Sequence, residues 1–255
     1  MDGDCGGPHR IILLNVMGIE TQVTVAYGTC SGRLVDEGAR WGELVLQTNR
    51  TTRQGVNGTG LMACAGFRYA YDPQIAPYAH WKGPSAGRGL TAEIVEILGK
   101  LPSVGLQHHA AFPPHTFPSF ANDLEKRASE RKTWEVGGGS LLSTFWVVSG
   151  GEGRKTGGEG GLSNPPHLDT MDTQVWSRAV WVPSHPSKME EQRAQGWRAW
   201  LLFPRNGVAI DISCPVAIEW NGKDTYHCSV TPSLPNGEQL ISLFCGTTTQ
   251  TEASW

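Results

Sequence analysis

The second half of the chain is a succession of short apolar segments separated by turn signals. The segments are rich in β-branched and aromatic residues and span 174–182, 197–203, 208–212, 216–220 and 240–244. Asn206-Gly207 and Asn221-Gly222 lie between segments, and such pairs commonly close β-hairpins. Short strands with this spacing and turn chemistry predict an all-β barrel or sandwich.

The first half of the chain carries further strand signals and two helical segments. The segments predicted as strands on their β-branched content are 11–16, 21–27, 43–48 and 141–148. Thr91 is a candidate N-cap for a helix to Lys100, and the mixed charges of 122–132 indicate a solvated helix. The chain is therefore predicted to be mainly β with flanking helices.

Length, charge and cysteine content limit the classes of protein that fit. The 255 residues are predicted to form one domain, and a net charge of −3 shows no overall basic excess, so nucleic-acid binding would depend on a local patch. No segment approaches the roughly 18 apolar residues of a membrane span, and the N-terminus lacks the features of a signal peptide. We therefore expect no membrane partner, a cytosolic or nuclear setting, and six cysteines that are reduced thiols.

A His-x-Asp pair at His167 and Asp169 is the strongest candidate for chemistry. Successive side chains of a strand alternate between its faces, so these two side chains point the same way. A second histidine brought alongside by strand pairing would complete a 2-His-1-carboxylate triad, which holds Fe(II) and leaves three positions open. His227 is the best candidate for that histidine. The alternative is a surface histidine and aspartate beside a turn.

Basic residues in three segments are candidate contacts for a phosphate backbone. Arg68 lies in an aromatic run at 67–82, where rings and cations could stack on bases and neutralise phosphates. The other candidates are Lys126, Arg127, Arg154 and Lys155, the last two in a glycine-rich loop. For Arg68 the alternative is a half-buried strand whose arginine reaches solvent. For the other four residues the alternatives are a solvated helix and a flexible, solvated loop.

The order of these features resembles the double-stranded β-helix, a jelly-roll and cupin-like fold, of Fe(II)-dependent dioxygenases. The resemblance covers roughly 141–246 and is carried by four segments, which are His167-Leu168-Asp169, Leu202-Phe203-Pro204-Arg205-Asn206-Gly207, Trp220-Asn221-Gly222 and Tyr226-His227-Cys228. Within that superfamily the chain is most similar to the TET/JBP branch, which oxidises the methyl group of 5-methylcytosine or thymine in DNA. The resemblance implies Fe(II) and O2 at the triad and double-stranded DNA containing 5-methylcytosine as partner. It also implies a nuclear location and Trp220 and Tyr226 as residues packed around the site.

Two departures from the family pattern bear on the co-substrate. Asp172 stands where TET enzymes have an asparagine that contacts the flipped cytosine, so the resemblance implies a catalytic role for it near base and co-substrate. Enzymes that use 2-oxoglutarate place a cation about a dozen residues after the second histidine, yet this chain has no Lys or Arg after Lys223, and Gln239 or Leu240 stands at that position. Without that cation, the far carboxylate of 2-oxoglutarate would be buried unpaired, which costs roughly several kcal/mol of binding free energy. The chain resembles in this respect the algal branch of the family that uses ascorbate to attach a glyceryl group to 5-methylcytosine.

The runner-up is a 2-oxoglutarate-dependent Fe(II) hydroxylase that acts on 5-methylcytosine, on a small molecule or on a protein. Its anchoring cation would be Arg178, Arg198 or Arg205. A binding module with an inactive site is the third possibility. The expected organisation is a monomer in which 1–140 supplies N-terminal strands and helices that flank the core and 141–246 forms the metal-binding half.

Overall fold

The computed structural model describes eleven stretches of the chain. They are residues 9–14, 20–48, 60–69, 75–77, 92–136, 138–142, 145–150, 161–170, 176–232, 234 and 238–246. Their strands are β1 His9–Leu14, β2 Glu20–Tyr27, β3 Leu61–Tyr69, β4 Ile75–Pro77, β5 Trp134–Val136, β6 Gly139–Leu141, β7 Phe145–Gly150, β8 Leu162–Ser163, β9 Trp176–Pro183, β10 Trp200–Phe203, β11 Val208–Asp211, β12 Val216–Asn221, β13 Cys228–Thr231 and β14 Leu240–Gly246. Their helices are α1 Gly32–Thr48, α2 Ala92–Ala110, α3 Pro118–Ser129 and α4 Pro186–Ala194.

Two antiparallel sheets dominate the molecule. The major sheet has the order β1-β2-β12-β9-β14-β7-β3-β4, and the minor sheet has the order β11-β10-β13-β8. Strands from the first 140 residues therefore form both edges of the major sheet, and β7, β9, β12 and β14 form its centre. The chain is mainly β with flanking helices and has a double-stranded β-helix core, as the strand pattern and the resemblance predicted.

The central strands of the major sheet are buried on both faces. On β9, Val180 and Val182 belong to the core shared with the helices, whereas Ala179 and Trp181 belong to the core shared with the minor sheet. We call the first side the outer face and the second the inner face. Because side chains alternate along a strand, every neighbouring pair on β9 is divided between these two cores.

Helices α1, α2 and α3 cover the outer face. The segment 43–48, predicted as a strand, is the end of α1, so that prediction was wrong. Leu34, Trp41 and Val45 of this helix are buried in the outer core at helical spacing. The residues 43–48 contain only the apolar end of that helical pattern, so the helical spacing could not be recognised from this segment alone. The helix predicted from residue 91 to Lys100 continues through Pro102 to Ala110.

The minor sheet brings the downstream histidine opposite the upstream one. Strands β10 and β11 form a hairpin with Phe203 opposite Val208, and Gly207 in the turn has a positive φ of 66°. Leu202 of β10 lies opposite Cys228 of β13, directly after His227.

The five cysteines within the described stretches are not joined in disulfides. Among the described helices, none has the length and apolar character needed to cross a bilayer.

Candidate metal centre

His167 and His227 are paired directly across two strands. They form an antiparallel bridge in which the backbone N–H of His167 donates to the carbonyl of His227 at 3.0 Å and the N–H of His227 donates to the carbonyl of His167 at 3.1 Å. Their ring centroids are 4.5 Å apart. The bridge follows the pairing of β8 with β13, one residue out of its register, and its own two hydrogen bonds set the separation of the two imidazoles.

Asp169 completes the cluster. Its Oδ1 lies 3.6 Å from His167 Nε2 and its Oδ2 lies 3.4 Å from His227 Nε2. One candidate ligand atom from each of the three residues lies within 4.8 Å of the other two, and this is the group of possible metal ligands within the described stretches. The predicted His-x-Asp pair and the predicted partner histidine are therefore brought together.

The hydrogen bonds of the two imidazoles leave the same ring nitrogen free on each. His167 Nδ1 lies 2.9 Å from the carbonyl of Pro165, and His227 Nδ1 lies 2.9 Å from the carbonyl of Thr225. A carbonyl only accepts, so each Nδ1 carries a proton and donates it. In the neutral rings the lone pairs then lie on the Nε2 atoms, which face Asp169. Metal-binding histidines are commonly oriented in this way.

The electrostatics of the cluster favour the protonation states that bind a metal. Burial lowers the pKa of His167, and the neighbouring His227 lowers it further. Burial would raise the pKa of Asp169, but its interactions with His227 and with the hydroxyl of Ser177 hold that pKa below its ordinary value. At neutral pH the carboxylate is therefore ionised and His167 is neutral. Two imidazole nitrogens and one carboxylate suit Fe(II) with open coordination positions.

Ser177 and Gly222 support Asp169, and sequence reasoning did not identify either residue. Ser177 Oγ donates to Asp169 Oδ2 at 2.6 Å, and the backbone N–H of Asp169 donates to the carbonyl of Gly222 at 2.8 Å. A Cβ at Gly222 would overlap Ser177 Oγ and lie 2.5 Å from Asp169 Oδ2. As a turn signal, the Asn221-Gly222 pair had not pointed to a role beside Asp169. The one available signal for such a role was the small side chain of Ser177 in a strand of mostly bulky residues.

Trp220 and Tyr226 occupy different places. The Trp220 ring meets the His227 ring edge-on at 5.1 Å on the inner face, so Trp220 packs against the cluster. The ring of Tyr226 instead lies under the guanidinium of Arg205, whose central carbon is 3.8 Å from the ring centroid. Tyr226 is thus held by the tip of the β10–β11 hairpin.

Arg178 does not face the cluster, so its expected role as a co-substrate anchor is corrected. It is buried on the outer face, where Nε donates to Glu219 at 2.7 Å and Nη2 donates to Asp123 of α3 at 2.7 Å. Its neighbour Ser177 faces Asp169, and alternation sends Arg178 to the opposite side. Gln239 also turns away from the cluster, because its Oε1 approaches Gly150 beside Leu46 of α1.

The remaining predicted contacts are only partly described. Asp172, Arg154 and Lys155 lie outside the described residues. The backbone of Arg68 belongs to β3, and its side chain is outside the description. On α3, which covers the outer face, Lys126 is exposed and Arg127 is buried. Lys126 is therefore the member of that pair with surface to offer a phosphate.

Comparison with known proteins gives a structural match. The sequence matches no protein-family model and no curated protein sequence. The structure of NgTET1 in complex with 5mC DNA matches with a TM-score of 0.55 and 12% identity, over 90% of this chain and 73% of that chain. The two proteins share a fold. A prolyl hydroxylase from Trichoplax adhaerens, in complex with a hypoxia inducible factor oxygen degradation domain peptide fragment, matches over 91% of this chain and 86% of that chain at 12% identity, but its TM-score of 0.42 supports no conclusion.

Proposed function

We propose that this protein is an Fe(II)-dependent dioxygenase that modifies the methyl group of 5-methylcytosine in DNA. We further propose that its co-substrate is ascorbate, from which it attaches a glyceryl group. One observation carries the iron assignment, namely that His167, Asp169 and His227 place ligand atoms within 4.8 Å of one another inside a double-stranded β-helix. That donor set is the one used by non-haem Fe(II) oxygenases.

The residues of the chain would prepare this site in three ways. The carbonyls of Pro165 and Thr225 hold the two imidazoles with Nε2 toward Asp169. Trp220 covers one side of His227 and shields it from water. The His167 side chain is 41% exposed and that of His227 is 5% exposed, so substrate would approach from the His167 side. A bound ferrous ion would supply the activation of dioxygen.

The positions of the described arginines support ascorbate over 2-oxoglutarate. Arg178 is bound to Glu219 and Asp123 on the outer face. Arg198 lies 3.5 Å from Asp211, and Arg205 is stacked on Tyr226. The distal carboxylate of 2-oxoglutarate needs a cation that is free to bind it. All three anchors proposed for that co-substrate have other partners in the described structure.

The DNA substrate is supported by resemblance and by likeness of fold. NgTET1 was crystallised with DNA containing 5mC, and a base that reacts at a buried centre must be flipped out of its duplex. With a net charge of −3, binding would depend on local cations, and exposed Lys126 is one candidate. Mutation of Lys126 to Ala would then weaken DNA binding and reduce its dependence on salt.

Product analysis tests the proposal. The protein is incubated with Fe(II), a duplex containing 5-methylcytosine and either ascorbate or 2-oxoglutarate, and the DNA is digested to nucleosides for mass spectrometry. We expect a new nucleoside with the added mass of a glyceryl group only when ascorbate is present. A hydroxymethyl product that forms only with 2-oxoglutarate would contradict the co-substrate assignment and favour the hydroxylase alternative.

Matched variants separate the iron site from the fold. His227→Ala should abolish product because it removes one ligand. Ser213→Ala removes another buried side chain, whose hydroxyl donates to Asp211, a residue outside the triad, and it should leave product formation unchanged. Unchanged turnover in His227→Ala would refute the triad assignment.

A further inference from the structure

The carboxylate of Asp169 is held by groups that are not themselves candidate ligands. Ser177 Oγ donates to Oδ2 at 2.6 Å, a short distance that indicates a charge-assisted bond. The backbone N–H of Asp169 is bound at 2.8 Å to the carbonyl of Gly222. One residue of β9 and one residue at the end of β12 therefore restrain both the main chain and the side chain of Asp169.

The two restraining residues also fit tightly against each other. Ser177 is 2% exposed, and its strand position is directly opposite Trp220 in the pairing of β9 with β12. A Cβ on Gly222 would overlap Ser177 Oγ and come within 2.9 Å of Ser177 Cβ. The space beside the carboxylate is therefore filled by one hydroxyl, and Gly222 leaves room for that hydroxyl because it has no Cβ.

These restraints affect the number of carboxylate oxygens that Asp169 can offer to a metal. A carboxylate can bind a metal through one oxygen or through both. The bond from Ser177 takes up one lone-pair direction of Oδ2 and makes that oxygen a weaker metal ligand, whereas Oδ1 lies 3.6 Å from His167 Nε2 and has no hydrogen-bond donor among the described residues. Binding through both oxygens would take up a position that dioxygen or a co-substrate needs.

We propose that Ser177 is a positioning residue that restricts Asp169 to a single metal-binding oxygen, with Gly222 providing the space this requires. The inference rests on the proposed iron site and deepens it. Ser177 does not touch the metal or the reacting atoms. It acts through Asp169, and its effect is to keep open the coordination positions that the two histidines and one oxygen leave.

Metal binding by the purified protein tests this role without any turnover. Co(II) is the probe, because its visible absorption responds to the number of ligands, and its affinity is measured by titration under anaerobic conditions. Ser177→Ala frees Oδ2. We expect a shift in the position and intensity of the Co(II) bands, because a second carboxylate oxygen can then join the metal ligands. Ser177→Thr retains the hydroxyl and should restore the wild-type spectrum in large part.

A matched control and a second variant keep the test decisive. Ser213 is fully buried and also donates its hydroxyl to an aspartate, Asp211, so Ser213→Ala removes the same kind of bond away from the site and should leave the Co(II) spectrum unchanged. If Ser177→Ala does not fold, Ser177→Val matches threonine in size and lacks the hydroxyl, so it should show the same shift of the Co(II) bands as expected for alanine.

The outcomes distinguish the positioning role from the iron site itself. Wild-type affinity and an unchanged spectrum in Ser177→Ala would overturn the positioning role and leave the iron site standing, since Ser177 would then only satisfy a buried carboxylate. Failure of the wild-type protein to bind Co(II) or Fe(II) would overturn both. A spectrum that changes in Ser177→Ala and returns in Ser177→Thr supports the inference.

Discussion

Replacement of Gly222 by alanine adds one methyl group beside the candidate metal centre. The backbone at Gly222 is not in the left-handed region, so alanine brings no conformational strain of its own. The cost is steric, because the new carbon would overlap Ser177 Oγ and lie 2.5 Å from Asp169 Oδ2. The serine and the carboxylate must both move, and the ligand atoms move with them.

The expected magnitude follows from the two effects of that displacement. Overpacking a buried site typically costs about 1–3 kcal/mol of the free energy of unfolding. Displacement of a ligand by a neighbouring group typically costs about 10- to 100-fold in metal affinity. At about 1.4 kcal/mol for each factor of ten, the second effect corresponds to roughly 1.4–2.8 kcal/mol of binding free energy.

Two measurements on Gly222→Ala check this expectation. Urea unfolding of the metal-free protein gives the loss of stability, and anaerobic titration with Co(II) or Fe(II) gives the loss of affinity. Gly207→Ala is the control. Its φ of 66° makes alanine costly by about 1–2 kcal/mol, but nothing lies within 4 Å of the added carbon. We expect a similar loss of stability there and unchanged metal affinity.

Either of two results would refute this explanation. If Gly222→Ala binds the metal as tightly as the wild type while its stability falls as in Gly207→Ala, the close contact with Ser177 and Asp169 does not govern the site. Equal losses of affinity in both variants would also contradict it, because affinity would then follow global stability.

Three further predictions concern the triad and the buried polar groups of the outer face. His167→Ala should lose stoichiometric iron in metal analysis, and retention of iron would contradict the ligand assignment. Arg178→Met should lower the free energy of unfolding by about 3–5 kcal/mol, because it leaves Glu219 buried without its partner, whereas the double variant Arg178→Met/Glu219→Leu should be much less destabilised in urea melts. Equal losses in both would contradict an ion-pair explanation. Burial lowers the pKa of His109 to about 4 and that of His108 well below its ordinary value. Below about pH 6.5 the unfolded chain therefore binds protons that the folded chain does not, so stability is present above that pH and falls toward pH 4, by about 1.4 kcal/mol per pH unit for each histidine. Urea melts at pH 7 and pH 5 check this, and equal stabilities would contradict it.

Sequence reasoning was most successful where local chemistry decides the structure. Asn206-Gly207 and the apolar segments on either side of it predicted the β10–β11 hairpin, because turn geometry and strand content depend on residues close together in the chain. It failed at 43–48, where β-branched residues at the end of α1 resembled a strand. There the packing of Trp41 and Val45 against the outer face decides the outcome, and no window of six residues contains that information.

The sequence by itself determined the fold class and three candidate ligands, because alternation places His167 and Asp169 on one face and the order of motifs in the family resemblance points to His227. Only the tertiary structure decided that His227 bridges His167, since that pairing joins distant strands. It also decided that Ser177 faces Asp169 while Arg178 faces α3. Strand β9 is buried almost throughout, so its sequence shows no apolar and polar alternation that could distinguish the two faces. The packing of helices on one side and the minor sheet on the other makes that choice.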